Sequence, residues 1–194
     1  DWGDEVNIVP PGFNSGWDVV AGPANKTQLA VLSGDSTYPG YTYHDPQFSW
    51  EKTVAPTGIA FTSPQGFGKY KDSVFVGDCN NGNVYRFQLN QNRDGFVFNS
   101  PELADKEVNI GDSMKEIVFA TGFGCISDVM TGPDGMIYVT SLSSGTIYRI
   151  VPQNSTEDVF GGITGLYISI AAIVVAIITT YVIRRKKQLN KVNI

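Results

Sequence analysis

Residues 74–87 read VFVGDCNNGNVYRF and residues 137–150 read IYVTSLSSGTIYRI, a spacing of 63 residues. The two stretches align without a gap, and eight of their fourteen positions are identical or alike. Each begins with alternating β-branched and aromatic residues and crosses a polar turn at Gly82 or Gly145. Each then resumes the same alternation through a shared Tyr-Arg pair. That pattern predicts an antiparallel hairpin in each copy.

Outward from each hairpin lies another candidate strand. Residues 55–61 (APTGIAF) precede the first copy, and residues 126–130 (ISDVM) precede the second, ending in the turn Gly132-Pro133-Asp134-Gly135. Residues 96–98 and 117–120 supply further short strands between the copies. Sets of about four short strands at a recurring interval are the signature of propeller blades, so the expected fold is an all-β propeller. A β-sandwich also has short strands, but it does not require one hairpin to recur with Gly and Tyr-Arg in register. About three blades fit in the chain, whereas propellers close with roughly four to eight. The expectation is therefore the C-terminal part of a longer propeller, needing its remaining blades or a partner chain for closure. Residues 1–49, rich in Gly, Pro, Asn and Tyr and with little periodicity, read as long connecting loops.

Charge divides the chain. All 19 acidic residues but only nine of the 14 basic ones precede residue 163, and the last eleven residues carry Arg184, Arg185, Lys186, Lys187 and Lys191 with no acid. An acidic main part lacks the basic stripe that nucleic-acid binding needs, so no nucleic-acid partner is expected. Residues 163–183 (ITGLYISIAAIVVAIITTYVI) contain no charged side chain and, at 1.5 Å per residue, match the ~30 Å hydrocarbon thickness of a bilayer. They read as one transmembrane helix, with Tyr167 and Tyr181 as interfacial aromatics and the cationic cluster on the cytoplasmic side. The expected organisation is an extracytoplasmic propeller portion over 1–160, a transmembrane helix over 161–183 and a basic cytoplasmic tail over 184–194. Two sequons, at Asn25 and Asn154, are candidate glycosylation acceptors in the extracytoplasmic part.

Four pieces in order, NSGWDVVAG (14–22), YHDPQFSWEKTVAPTGIAF (43–61), VFVGDCNNGNVYRF and ISDVMTGPDGMIYVT (126–140), resemble successive pieces of the glucose/sorbosone dehydrogenase family. The resemblance covers most of residues 14–150 and implies a six-bladed propeller. It also implies an oxidoreductase that takes hydride from a sugar or related alcohol, using pyrroloquinoline quinone and calcium, with a histidine as general base. That base is expected upstream of this chain. The single histidine, His44, lies in the loop motif Tyr43-His44-Asp45-Pro46 and reads as a solvated turn residue.

The resemblance also places cofactor contacts. Trp50 and Thr53 match a Trp and a Thr that precede the Val-Ala-Pro stretch, if one extra residue is allowed between them. Asn80 stands where a lysine is expected, and Cys125 and Ser127 stand where two arginines are expected. The quinone is a tricarboxylate, and neutral side chains do not replace bidentate cationic donors. A second function thus stands beside the first: a non-catalytic surface propeller that binds carbohydrate or protein. Cys79 and Cys125 fall at similar places in neighbouring blades near the central channel. On the outer side of a membrane thiols oxidise, so a disulfide between them is expected, with two separate buried thiols as the alternative.

Other candidates have plainer readings. Residues 90–95 (NQNRDG) imitate the start of a calcium loop, but position twelve is Pro101, so a hairpin turn is expected and no metal site is assigned. Asp4, Glu5, Asp128 and Asp134 read as turn and strand-end acids. Trp2, Trp17 and Trp50 are the aromatics suited to a sugar face, with core packing as the ordinary role.

Overall fold

The computed structural model describes residues 3–34, 40–62 and 67–151. The proposed transmembrane helix, the basic tail, Asn154 and Trp2 lie outside the described residues. Among the described residues no helix is long and apolar enough to cross a membrane.

The N-terminal segment is more regular than the connecting loops expected from sequence. It holds β1 (Asp4–Val6), β2 (Phe13–Asn14), a helix α1 (Lys26–Gly34), β3 (Thr42–Tyr43) and β4 (Phe48–Trp50). Strands of two or three residues are too short to leave a period in the sequence, which is why they read as loop. The helix buries none of its residues, so no apolar stripe marks it. Its start is nonetheless written in Asn25 and Gln28. The Asn25 side chain accepts from the Gln28 amide at 3.0 Å, and the Gln28 side chain accepts from the Asn25 amide at 2.9 Å, a reciprocal capping box.

Next comes an antiparallel sheet built on the first repeat. It contains β5 (Pro56–Phe61), β6 (Ser73–Asp78), β7 (Val84–Leu89), the short β8 (Phe96–Val97) and, after β9 (Glu107–Val108), β10 (Val118–Ala120). Its order is β10-β7-β6-β5, with β8 also pairing β7, and β1-β4-β9 form a neighbouring three-stranded sheet. The second repeat gives a three-stranded sheet of β11 (Ile126–Thr131), β12 (Ile137–Ser141) and β13 (Thr146–Ile150). Both repeated stretches are thus antiparallel hairpins, and each pairs with the strand expected before it.

The sheets stack face to face, and burial follows the side-chain alternation of the strands. On β6 and β7, Val74, Val76, Tyr85, Phe87 and Leu89 enter one apolar core with Phe48, Trp50 and Val108 of the β1-β4-β9 sheet. Phe75 and Val84 point the other way, into a second core with Ile126, Val129, Ile137 and Val139 of the β11–β13 sheet. Every residue of β6 is therefore buried, which explains a strand that reads as nearly continuous apolar sequence.

Close backbone contact joins the first strands of the two repeats. A Cβ on Gly58 would lie 2.3 Å from the Val129 amide nitrogen, so only glycine admits β11 at this distance. The Thr57 hydroxyl donates to the Ile126 carbonyl at 2.8 Å, and that of Thr131 donates to the Phe61 carbonyl at 2.8 Å, pinning both ends of β5 to β11. The outer face of the β11–β13 sheet is open, with Met130 55% and Ile147 68% exposed.

Candidate functional site

The segment joining β4 to β5, residues 51–55, is held over the start of β5 by polar contacts and by burial of the Val54 side chain in the first core. The Asp4 carboxylate accepts from the backbone amides of Val54 and Ala55 at 2.5 and 2.6 Å, while Ala55 adopts a left-handed φ of 55°. A charged acceptor on two amides is the kind of bond that can hold such a conformation in place. From the other side, the Cys79 amide donates to the Ala55 carbonyl and the Asn80 amide to the Val54 carbonyl, at 3.0 and 3.1 Å.

The turn between β6 and β7 is organised by Asp78, which is fully buried. One carboxylate oxygen accepts from the amides of Asn81 and Gly82 at 2.7 Å, and the other from the Tyr85 hydroxyl at 2.6 Å. Burial, helped by this carboxylate, pushes the Tyr85 phenol well above its ordinary range, against the opposing Asn83 hydrogen bond. Sequence reading did not single out Asp78, although an Asp at a strand end with Gly four residues later carries the mark of an Asx-type turn. Gly82 sits against Gly124 of the next repeat, where an added Cβ would lie 2.6 Å from a backbone nitrogen.

Cys79 and Cys125 are joined by a disulfide at this junction. Thr53 and Asn80 are brought together, the Asn80 side-chain amide donating to the Thr53 carbonyl at 3.1 Å. Ser127 is exposed one residue into β11 and donates to the Thr140 carbonyl, and Asp128 beside it is exposed. Trp50 stands apart from this group. Its ring is 1% exposed and packs in the core against Phe48, Tyr85 and Phe87. The indole NH has no hydrogen-bond partner among the described residues.

The remaining candidates lie elsewhere in the fold. His44 is exposed, and its ring stacks on Phe13 with centroids 5.8 Å apart. Trp17 is 79% exposed. Residues 90–95 close the β7–β8 hairpin through the Asn90 amide to the Gly95 carbonyl, and among the described residues no group of three or more candidate ligands could hold a metal ion. Asp134 caps its turn through the Met136 amide and pairs with Arg149. Those contacts hold its carboxyl below the usual carboxylate range.

The surface at the start of β5 and β11 therefore offers a hydroxyl, a carboxamide and peptide groups, and among the described residues no guanidinium or ammonium is hydrogen-bonded to them. Such a set suits the hydroxyls of a neutral polyol. It does not fit a tricarboxylate such as pyrroloquinoline quinone, because Asn80 is already committed to Thr53, Cys125 is in a disulfide, and neither carries charge.

Comparison with known proteins bears on the same residues. The family model for glucose / sorbosone dehydrogenase matches residues 1–149. The aldose sugar dehydrogenase YliI of Escherichia coli K12 is 28% identical over 156 residues, covering 78% of this chain and 36% of the relative. The crystal structure of the soluble aldose sugar dehydrogenase of Escherichia coli in its apo form superposes with a TM-score of 0.50 at 28% identity, covering 78% of this chain and 39% of that one. A glucose dehydrogenase crystal structure gives a TM-score of 0.53 at 23% identity, with the same two coverages, and speaks for the fold alone. The chain thus spans less than half the length of the relatives it matches.

Proposed function

The chain belongs to the glucose/sorbosone dehydrogenase family, and from that premise we propose that it is the C-terminal portion of a propeller oxidoreductase acting on a sugar or related alcohol. The observation that carries this reading is the neutral polar surface at the start of β5 and β11, where Thr53 and Asn80 meet beside the Cys79–Cys125 disulfide. In this reading that surface orients substrate hydroxyls, while the general base and the cations that hold a quinone lie in blades outside this chain. Members of the family generally depend on pyrroloquinoline quinone, and dehydrogenation needs such an acceptor for the hydride. The remaining blades also supply the cover for the open face of the β11–β13 sheet, where Met130 and Ile147 are exposed.

We place the propeller portion outside the cytoplasm, anchored by residues 163–183. The support is a 21-residue uncharged run followed at once by four consecutive cations. Resistance of the natural protein to alkaline extraction from membranes checks the anchor. Full release into the soluble fraction would remove it.

The second reading is a surface propeller that binds carbohydrate or protein without turnover. One observation favours it: the positions where cations are expected hold Asn80, Cys125 and Ser127. The two are separated by titrating the natural protein, with all its blades, with pyrroloquinoline quinone and calcium, followed by an aldose panel with an artificial electron acceptor. Saturable quinone binding and sugar-dependent reduction support the oxidoreductase. Absence of both leaves the binding propeller.

A further inference from the structure

Asn25 stands at the capping position of α1 in the sequence Asn25-Lys26-Thr27, with the residue between not proline. Asn25, Lys26 and Thr27 are all exposed, and α1 buries none of its residues. The approach to Asn25 is therefore open to a bulky reagent. Its side-chain oxygen accepts from the backbone amides of Thr27 at 2.9 Å and Gln28 at 3.0 Å. The contact to Thr27 is an Asx turn, and it fixes which end of the carboxamide faces out. Neither the Asn25 Nδ2 nor the Thr27 hydroxyl has a hydrogen-bond partner among the described residues. The segment is also anchored from behind, since the Ala24 amide donates to the Tyr43 hydroxyl and to the Asp45 carboxylate at 3.0 and 3.1 Å.

We propose that Asn25 is a glycosylation site, modified on Nδ2 by a lipid-linked (poly)phosphate oligosaccharide. The inference rests on the extracytoplasmic placement given above. In the transfer, a bond forms between Nδ2 and the sugar anomeric carbon while the bond from that carbon to the donor phosphate oxygen breaks. The phosphate leaves with the bonding pair, and one Nδ2 proton passes to a base of the transferase. An amide nitrogen is a weak nucleophile because its lone pair is shared with the carbonyl. The two amides on Oδ1 stabilise the negative charge gathered on oxygen as the proton leaves. Glycosylation keeps Oδ1 as an acceptor, so the capping box survives the modification. The attached sugar covers a surface that needs it, because Leu29 and Val31 on the same helix are 44% and 53% exposed.

The test is peptide mass analysis of the protein purified from its natural membrane, together with Thr27→Ser, Thr27→Val and Asn25→Gln. Thr27→Val keeps the backbone amide that Asn25 accepts, so it removes the acceptor hydroxyl without removing the cap. The expected result is a saccharide mass on the Asn25 peptide in the natural protein and in Thr27→Ser, lost in the other two variants. An unmodified Asn25 in the natural protein overturns the proposal, as does a mass that persists in Thr27→Val. A membrane-impermeant amine reagent applied to intact cells reads the placement separately, through the exposed Lys52 and Lys69. Labelled lysines with an unmodified Asn25 overturn the glycosylation alone, and unlabelled lysines with an unmodified Asn25 overturn both readings.

Discussion

Glu107 illustrates how single carboxylates are tuned where the sheets meet. Burial raises its pKa above the ordinary value, partly opposed by the Ser49 hydroxyl and reinforced by Asp105, Glu51 and Asp112. An acid with a raised folded-state pKa binds more protons folded than unfolded, so its contribution is fully present below the unfolded value and is lost as pH rises through the folded one. Glu107→Gln keeps an acceptor for Ser49 and removes the titration. The variant is expected to be more stable than the parent at neutral pH, with the difference shrinking as pH falls through the raised value and gone below the ordinary glutamate range. Thermal melts across that range check it, and an advantage that grows in acid would contradict it. The acids Asp4 and Asp78 act differently, as acceptors for backbone amides that would otherwise lack partners. The disulfide is the other single contact with a large expected effect. It closes a sequence separation of 46 residues, for which chain-entropy arguments give about 4 kcal/mol. Cys79→Ser and Cys125→Ser should each lower the denaturation midpoint of the natural protein by a similar amount, and the double variant by little more. Additive losses would mean that each cysteine acts alone.

Pairing between elements is where sequence was most and least informative. The two hairpins were legible because a strand of five or six residues, repeated with its turn, leaves both a period and a register. Helix α1 was not, because it buries nothing and its capping residue also reads as a sequon. Contacts between sheets were invisible for another reason. Thr57 and Ile126 lie 69 positions apart, and nothing local in either stretch announces the bond. The candidate site divides the same way: family resemblance led to Thr53 and Asn80, but only packing reveals that Trp50 is sealed in the core. Gly58 tests the closeness of the sheets directly. Gly58→Ala places a methyl 2.3 Å from the Val129 nitrogen and 2.8 Å from Asp128 backbone atoms, so relief requires moving a strand. A loss of roughly 1–3 kcal/mol is expected, read from chemical denaturation of the natural protein. An unchanged midpoint would mean that the two sheets pack less closely.

The chain spans less than half the length of the relatives it matches, and we propose that further blades cover the open face of the β11–β13 sheet. Met130 and Ile147 lie exposed on a sheet whose other face is a packed core. In the closed propeller that we propose, Ile147→Lys places a charge in a buried interface and destabilises the natural protein by roughly 2 kcal/mol or more. If the face is solvated in the natural protein, the substitution is neutral within experimental error. The central claim is the proposed sugar-oxidising role, with neutral donors at the start of β5 and β11 from this chain and the cations from further blades. It is tested most directly by calorimetric titration of pyrroloquinoline quinone with calcium into the natural protein with all its blades. Saturable binding is expected, with the cations supplied by the remaining blades. Absence of saturable binding would contradict the oxidoreductase reading.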